Sequence, residues 1–440
     1  MVRAMFDDRR GYAREVGSRI DASPTPYHAV ATAQATLERA GFRRLDVALP
    51  WSAADVARGF VAEGGTLVAW AAGDDPGAAV PFDLAGAHTD SPNLRIRPQP
   101  DTGRAGWRQV AVEVYGGALL NSWLDRDLGV AGRVAVRRTR GGPAELRLFH
   151  VDRPVMRVPQ LAIHLDRDVN ERGLQLNKQL HMAAVLGLGD ERPGAFRRLV
   201  AETLDVSPDD VVSWDAMAVD TAPSTLAGLG EDLLSAPRID NQVSCIAAVD
   251  ALVAAGERDG RGTTAAISLF DHEEVGSTSA TGADGVLLAG VLERIVLARG
   301  GSRQEHLRAL AASRCASADG AHATHPNYAE RHEPGHWIRA GAGPVVKVNV
   351  NQRYATDAAT QAEFEIAADA AGVPVQRFSS RGDMPCGSTI GPLTAARSGM
   401  RTVDVGVAQL AMHSARELCG ADDPAQLAAA LTEWLAGAGR

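Results

Sequence analysis

The spacing of apolar and polar residues divides the chain into three stretches. Residues 1–95 mix helical spacing, as in "GYAREVGSRIDASPTPYHAVATAQATLERAGF", with short strand-like runs such as "GTLVAWAAG" and "AAVPFDLAGAHTD". Residues 96–230 carry β-type runs separated by glycine-rich turns, among them "WRQVAVEVYGGALLNSW", "GVAGRVAVRR" and "AELRLFHV". From residue 231 onward, helices such as "NQVSCIAAVDALVAAG" alternate with strands such as "TTAAISLFDHEE".

This alternation predicts an α/β fold with a mixed, largely parallel sheet flanked by helices. A chain of 440 residues exceeds the size at which one core keeps growing, so two domains are expected. We predict a discontinuous α/β domain formed by residues 1–95 and 231–440, and an inserted β-rich domain formed by residues 96–230. Sheets of this kind bind ligands beyond the carboxyl ends of their strands.

Charge and composition narrow the classes of partner. The net charge is -9, which argues against binding nucleic acid through its phosphates. The basic cluster at residues 137–140 is followed by "GGP" and is interpreted as a solvated hairpin. The start of the chain lacks the apolar core of a signal peptide, and no uninterrupted apolar run approaches the ~18 residues of a membrane span. We therefore expect a cytoplasmic protein with neither a nucleic acid nor a membrane partner.

Five sequence segments carry metal-type ligands at the end of a predicted strand or the start of a predicted helix. They are "LAGAHTD" with His88 and Asp90, "SAPRIDNQ" with Asp240, "FDHEEVGS" with Glu273 and Glu274, "ASADGAHATHPNY" with Asp319, His322 and His325, and "AQLAMHS" with His413. Each alone has an ordinary explanation, such as helix capping for Asp240. Together they offer oxygen and nitrogen ligands without thiolates, a set that suits zinc, cobalt or manganese in a catalytic site. Two such ions ~3.5–4 Å apart would make a two-metal hydrolase.

The same stretches resemble the aspartyl aminopeptidase family of di-zinc metallopeptidases. The resemblance extends almost from end to end, because "AGAHTDSPNLR", "RIDNQVSC", "FDHEEVGSTSATGA", "SADGAHATHPNY", "GPVVKVNVNQRYAT", "CGSTIGP" and "LAMHSARE" all occur in the family's order. It implies two divalent metal ions per chain, most simply Zn2+, with Co2+ or Mn2+ as alternatives. Several motifs in register are far more specific than any one of them.

The resemblance also implies a role for each matching residue. The metal ligands would be His88, Asp240 as the bridging carboxylate, Glu274, Asp319 and His413. Glu273 would be the catalytic acid/base, and Asp90 the acid that orients His88. The substrate contacts would be His322, Lys347 and Tyr354, with His164 reaching the site of a neighbouring subunit. Lys347 has an alternative interpretation as the exposed face of an alternating strand, "VVKVNV".

The implied activity is the release of N-terminal Asp or Glu from peptides by attack of metal-activated water. The implied assembly is a homo-oligomer, a dodecamer built from dimers, with the inserted domain as the dimerisation domain. Two other hypotheses remain open on the sequence alone. One is a di-metal deacylase or carboxypeptidase on the same scaffold, and the other is a metal-binding assembly without catalysis.

Overall fold

The computed structural model describes residues 6–139, 141–190 and 192–440, and these divide into two compact units. The first unit comprises the chain up to Asp90, Ser224–Met412 and Glu417–Arg440, and the second comprises Ser91–Pro223 and His413–Arg416. The second unit begins at Ser91 rather than at 96, since the long strand Asn93–Arg104 already belongs to its sheet. The first unit resumes at Ser224 rather than at 231, since Thr225–Ala227 forms a strand of one of its sheets.

The first unit is built on a nine-stranded sheet. In spatial order its strands are Arg43–Arg44, Arg58–Glu63, Thr66–Ala71, Thr264–Phe270, Phe82–His88, Arg314–Ala318, Arg401–Gly406, Val345–Val348 and Gln376–Ser379. Five of its eight strand pairings are parallel and three are antiparallel, so the sheet is mixed and largely parallel, as the sequence predicts. The strands at its centre are buried along their whole length, which explains their unbroken apolar sequences.

A second, five-stranded sheet and a set of helices complete this unit. The sheet is formed, in spatial order, by Thr225–Ala227, Leu233–Ala236, Glu417–Gly420, Ala408–Leu410 and Ala321–His322. The α-helices are Arg9–Asp21, Pro26–Arg39, Ile239–Gly256, Leu287–Ala298, Arg303–Ala311, Ala358–Ala370, Ile390–Ser398 and Asp423–Leu435. Their starts follow local chemistry: Thr25 caps the helix that opens with Pro26, and Ser302 forms a capping box with Glu305.

The helix Ile239–Gly256 is the core helix of this unit. By length and composition alone it could cross a membrane, but 89% of it is buried inside the protein. It packs against the final helix Asp423–Leu435, and both helices contribute to one large apolar cluster. Burial of this kind stabilises the fold by about 1.5–3 kcal/mol for each large apolar side chain.

The second unit is built on a six-stranded sheet. In spatial order its strands are Ala144–Met156, Leu128–Arg137, Val211–Asp220, Asn93–Arg104, Trp107–Tyr115 and Ala184–Leu188, and its α-helices are Val169–Arg172 and Ala195–Leu204. Every pairing in this sheet is antiparallel, which fits the alternating sequences of its strands. The predicted hairpin joins Leu128–Arg137 to Ala144–Met156, and the amide of Gly142 donates to the carbonyl of Thr139 at its turn. Arg140, part of the predicted basic cluster, lies outside the described residues.

A buried ion pair ties the central strand of the first unit to its last helix. Arg314 and Asp83 are both fully buried and lie 2.6 Å apart. The Arg314 guanidinium also donates to the backbone carbonyl of Trp434 and stacks 3.9 Å from the centroid of its ring. The Arg440 side chain adds a second hydrogen bond to Asp83.

Replacing Arg314 with Leu should destabilise the first unit strongly, because it leaves the Asp83 carboxylate buried without its main counter-charge. We expect the free energy of unfolding to fall by about 3 kcal/mol or more, measured by chemical denaturation. Arg303→Leu is the matched control, since it removes the arginine of an exposed pair with Glu293 and should change stability by about 1 kcal/mol or less. Equal losses of stability in the two variants would show that the buried pair contributes no more to stability than the exposed one.

Candidate metal centre

Three adjacent parallel strands bring the predicted ligands to one edge of the nine-stranded sheet. Phe82–His88 lies between Thr264–Phe270 and Arg314–Ala318 and is parallel to both, with His88 aligned to Phe270. His88 ends the middle strand, Asp319 comes directly after one neighbour, and Glu273 lies three residues after the end of the other. Because parallel strands end on the same side of a sheet, residues far apart in sequence meet there.

His88, Asp240 and Asp319 form a buried group of metal-type ligands. One ligand atom from each lies within 4.8 Å of the other two. His88 Nε2 is 3.3 Å from a carboxylate oxygen of Asp240 and 3.4 Å from one of Asp319. A single ion placed among these atoms could contact all three side chains, so the residues present fit a divalent metal.

Glu273 and Glu274 lie in a short 3-10 turn that follows the strand Thr264–Phe270. A carboxylate oxygen of each lies within 4.8 Å of the other and of a ring nitrogen of His88. The turn is possible because His272 and Gly276, on either side of it, adopt left-handed backbone conformations. The two glutamates therefore leave the strand in the direction of the ligand group instead of toward solvent.

Asp90 holds this arrangement together. Its carboxylate oxygens accept hydrogen bonds from the backbone amides of Glu273 at 3.0 Å and Glu274 at 3.1 Å. His88 Nδ1 is 3.0 Å from the backbone carbonyl oxygen of Asp90 and 3.5 Å from its carboxylate. Contact at Nδ1 orients the ring so that Nε2 faces the other ligands. Asp90 thus connects the histidine to both glutamates, a wider role than orienting His88 alone.

The crowding of carboxylates makes the site strongly electronegative. Burial raises the pKa of Glu273 and of Glu274, and the neighbouring aspartates raise both further against the opposing effect of His88. For His88, burial alone lowers the pKa, but hydrogen bonds to Asp240, Asp319 and Asp90 outweigh it and the pKa is raised. Each of these shifts has the same meaning: this cluster of side chains stabilises added positive charge, which a divalent cation supplies.

Residues next to Asp240 link the ligand-bearing segments through backbone carbonyls. The side-chain amide of Asn241 donates to the backbone carbonyl of Ala318 at 2.8 Å, and the side-chain amide of Gln242 donates to that of Thr89 at 2.7 Å. Cys245 Sγ contacts the carbonyl of His88 at 2.9 Å. We call Asn241, Gln242 and Cys245 the helix clasp.

Sequence reasoning missed the helix clasp, although its residues stand in the quoted stretch "RIDNQVSC". Uncharged polar residues in an otherwise apolar helix were the available signal, because such residues are buried only with hydrogen-bond partners. Glu417 was missed in the same way: its carboxylate accepts a hydrogen bond from the backbone amide of Asp240 at 2.8 Å.

Lys347 is buried, at 2% exposure, so the interpretation as an exposed strand residue is wrong. Its Nζ donates to the backbone carbonyls of Asp319 at 3.0 Å and Gly320 at 3.1 Å. It also lies 5.1 Å from the centre of the Tyr354 ring. The lysine therefore holds the loop that carries a predicted metal ligand, while a role in selecting substrates stays a prediction.

His322 and Tyr354 line one pocket of about 220 Å³, together with Phe378 and Arg381. His322 lies three residues after Asp319 in the sequence, and the centre of its ring is 6.5 Å from that of Phe378. Tyr354 packs edge-on against the same phenylalanine. Burial, aided by a hydrogen bond with Cys386, raises the pKa of Tyr354, so its hydroxyl stays protonated at neutral pH.

His164 and His413 belong to the second unit. His164 lies in an exposed 3-10 turn, Ile163–Leu165, which also presents two apolar side chains to solvent. His413 Nδ1 is 3.3 Å from the carbonyl oxygen of Gly117, a contact that leaves Nε2 as the nitrogen able to bind a metal. The roles of both histidines stay predictions.

The chain matches known proteins over almost its whole length. Residues 19–434 match the family model described as aminopeptidase I zinc metalloprotease (M18). The chain is 52% identical over 429 residues to a probable M18 family aminopeptidase 2 of Streptomyces coelicolor, covering 97% of this chain and 98% of the relative. A probable M18 family aminopeptidase 2 of Mycobacterium leprae is 54% identical over 413 residues, covering 94% and 95%.

Solved structures of related proteins show the same fold. Ape4, determined in a complex with Nbr1, matches with a TM-score of 0.93 at 33% identity, over 99% of this chain and 87% of Ape4. The dodecameric mApe1 of S. cerevisiae matches with a TM-score of 0.85 at 27% identity, over 97% of each chain.

The α/β sheet, the buried ligand cluster and these relatives define a zinc metallo-aminopeptidase. More narrowly, the chain belongs to the M18 family of peptidases. This supports the aminopeptidase hypothesis over the deacylase, carboxypeptidase and non-catalytic alternatives.

Substituting Asp240 with Ala should reduce zinc binding sharply, because this residue lies at the centre of the ligand group. We expect at least a tenfold loss of zinc affinity, measured by metal analysis after dialysis against buffered zinc. Asp369→Ala, at an exposed position, should bind zinc like the unmodified protein. Full zinc content in the Asp240 variant would rule out its role as a ligand.

Proposed function

We propose that this zinc aminopeptidase holds two divalent ions and releases N-terminal acidic residues, Asp or Glu, from peptides. One ion would be held by His88 and Asp319, the other by Glu274 and His413, with Asp240 shared between them. The close approach of His88, Asp240 and Asp319 supports the first of these sites. When bound, such ions lower the pKa of water and polarise the carbonyl of the peptide bond.

Glu273 is the proposed general base and acid. It lies beside the ligand group, and the Asp90 carboxylate fixes its backbone. Burial favours its protonated form, which suits a group that must accept a proton from water and keep it until the amine leaves. His322, at the adjoining pocket, is the proposed donor to the substrate carbonyl.

The charge of the pocket carries the proposal of acidic specificity. Its lining includes two arginines, Arg331 and Arg381, three histidines, His322, His332 and His336, and one carboxylate, Glu333. Two permanent positive charges against one negative charge favour an anionic side chain in this pocket. A neutral or basic N-terminal residue gains no such attraction.

Assembly into a homo-oligomer, with a dodecamer built from dimers as the expected form, is part of the proposal. The mApe1 relative was solved as a dodecamer. The exposed His164 turn, flanked by apolar side chains, supports a contact there with a second copy of the chain. His164 would then complete the substrate site of the neighbouring subunit, and the second unit would serve as the dimerisation domain.

The specificity is tested with a panel of aminoacyl-p-nitroanilides carrying Asp, Glu, Ala, Leu and Lys, with an N-acetylated Asp substrate as control. We expect zinc-dependent cleavage with kcat/KM for Asp and Glu at least about tenfold above the others, and no cleavage of the blocked substrate. Preference for Leu or Ala would retain the aminopeptidase and overturn the acidic specificity.

Glu273→Gln should retain fold and zinc but lose activity, because an amide cannot take up and return a proton. We expect kcat to fall by roughly a factor of 10²–10⁴ with zinc content unchanged. The matched control is Glu257→Gln, at an exposed position. Near-normal kcat in the Glu273 variant would assign proton transfer to another group.

A further inference from the structure

We propose that Arg381 binds the acidic side chain of the substrate, and that Asp383 occupies the arginine when no substrate is present. The proposal rests on the proposed function and adds to it the group that selects the acid and an internal competitor for that group. It concerns the pocket of about 220 Å³ that His322 and Tyr354 also line.

Lys347, the cation suggested by the sequence, is poorly placed for this task. It is 2% exposed and does not belong to the lining of the pocket. Two of its three N–H donors are directed at the carbonyls of Asp319 and Gly320. A substrate carboxylate could reach it only by displacing contacts that hold a predicted metal ligand. The selecting cation should instead be one that lines the pocket.

Arg381 meets that requirement and has the geometry for a carboxylate. It follows the strand Gln376–Ser379 and lines the pocket with Phe378. Its Nε and Nη2 donate to the two carboxylate oxygens of Asp383 at 2.7 Å and 3.0 Å. Paired, parallel hydrogen bonds of this kind are the preferred way for arginine to bind a carboxylate. Asp383 thus occupies the position that the carboxylate of a substrate Asp or Glu would take.

The pair with Asp383 is weak enough to be exchanged. The Arg381 and Asp383 side chains are 39% and 66% exposed, and exposed ion pairs contribute only about 0–1 kcal/mol. The third arm of the guanidinium, Nη1, donates to the backbone carbonyl of Glu330, which anchors the arginine independently of Asp383. A substrate carboxylate can therefore replace Asp383 on the guanidinium at a cost of only about 0–1 kcal/mol.

The test compares N-terminal Asp and N-terminal Asn substrates, which have nearly the same shape but differ in charge. Arg381→Gln should raise KM for the Asp substrate by roughly ten- to a hundredfold and leave KM for the Asn substrate within about threefold. Asp383→Asn should lower KM for the Asp substrate by about two- to fivefold, because the competitor is removed while the arginine remains. KM for the Asn substrate should not change in this variant.

Arg377→Gln is the matched control. Arg377 forms the same two-pronged pair with Glu365, at 2.7 Å for both bonds, but does not line the pocket. It should leave KM for both substrates unchanged. Thermal unfolding of each variant identifies any loss of fold; if Arg381→Gln unfolds, Asp383→Asn decides the question alone.

Four results would overturn the inference. Arg381→Gln could raise KM for the Asp and Asn substrates equally, which would mean that the arginine shapes the pocket without selecting for charge. Asp383→Asn could leave KM for Asp unchanged or raise it, so that Asp383 would not compete. Unmodified enzyme that cleaves the Asn substrate better than the Asp substrate would refute the acidic specificity itself, and with it the present inference. If the unmodified enzyme prefers Asp in the presence of zinc and Arg381→Gln leaves KM for Asp unchanged, only the inference is refuted and the acidic specificity stands.

Discussion

Carboxylates crowded at the end of a buried sheet repel one another, and the structure of the first unit around them depends on how this repulsion is compensated. Asp240, Asp319, Glu273 and Glu274 approach one imidazole in a region from which most water is excluded. Such a cluster is unfavourable unless a cation or bound protons compensate it. Three strands, a 3-10 turn and the start of the core helix converge at this place. Their stability and the binding of metal are therefore coupled, since whatever compensates the charge also stabilises the fold around it.

The site is held mainly by contacts to backbone groups, which makes it rigid. Asp90 accepts from two successive amides, the helix clasp donates to carbonyls, and Lys347 fixes the loop at Asp319. Backbone groups cannot rotate away as side chains do, so each contact fixes the direction of the chain. The predicted ligands are thereby held in place before metal and substrate arrive, which is what a catalytic site requires.

Much of this could be predicted from the sequence, because the signals were local. The buried central strands appear as unbroken apolar runs, and the predicted ligands of the first unit end one of them, follow one of them or begin a helix. The mixed, largely parallel sheet followed from the alternation of helices and strands. The alternative interpretation of Lys347 as an exposed strand residue was wrong, because its sequence alternates like that of an exposed strand while its burial depends on a loop 28 residues away. The proposed role of Arg381 had no sequence signal, since its position on the pocket depends on how separate loops meet.

The helix clasp has a consequence for how this sequence can change. Asp240, Asn241 and Gln242 are consecutive, yet they serve a ligand position, the carbonyl of Ala318 and the carbonyl of Thr89 respectively. Substitutions can alter these contacts one at a time. Gain or loss of one residue here would shift all of them together and send each side chain toward another's partner. The residues of this segment can therefore be substituted, but its length is fixed. Insertions should occur in the surface loops instead.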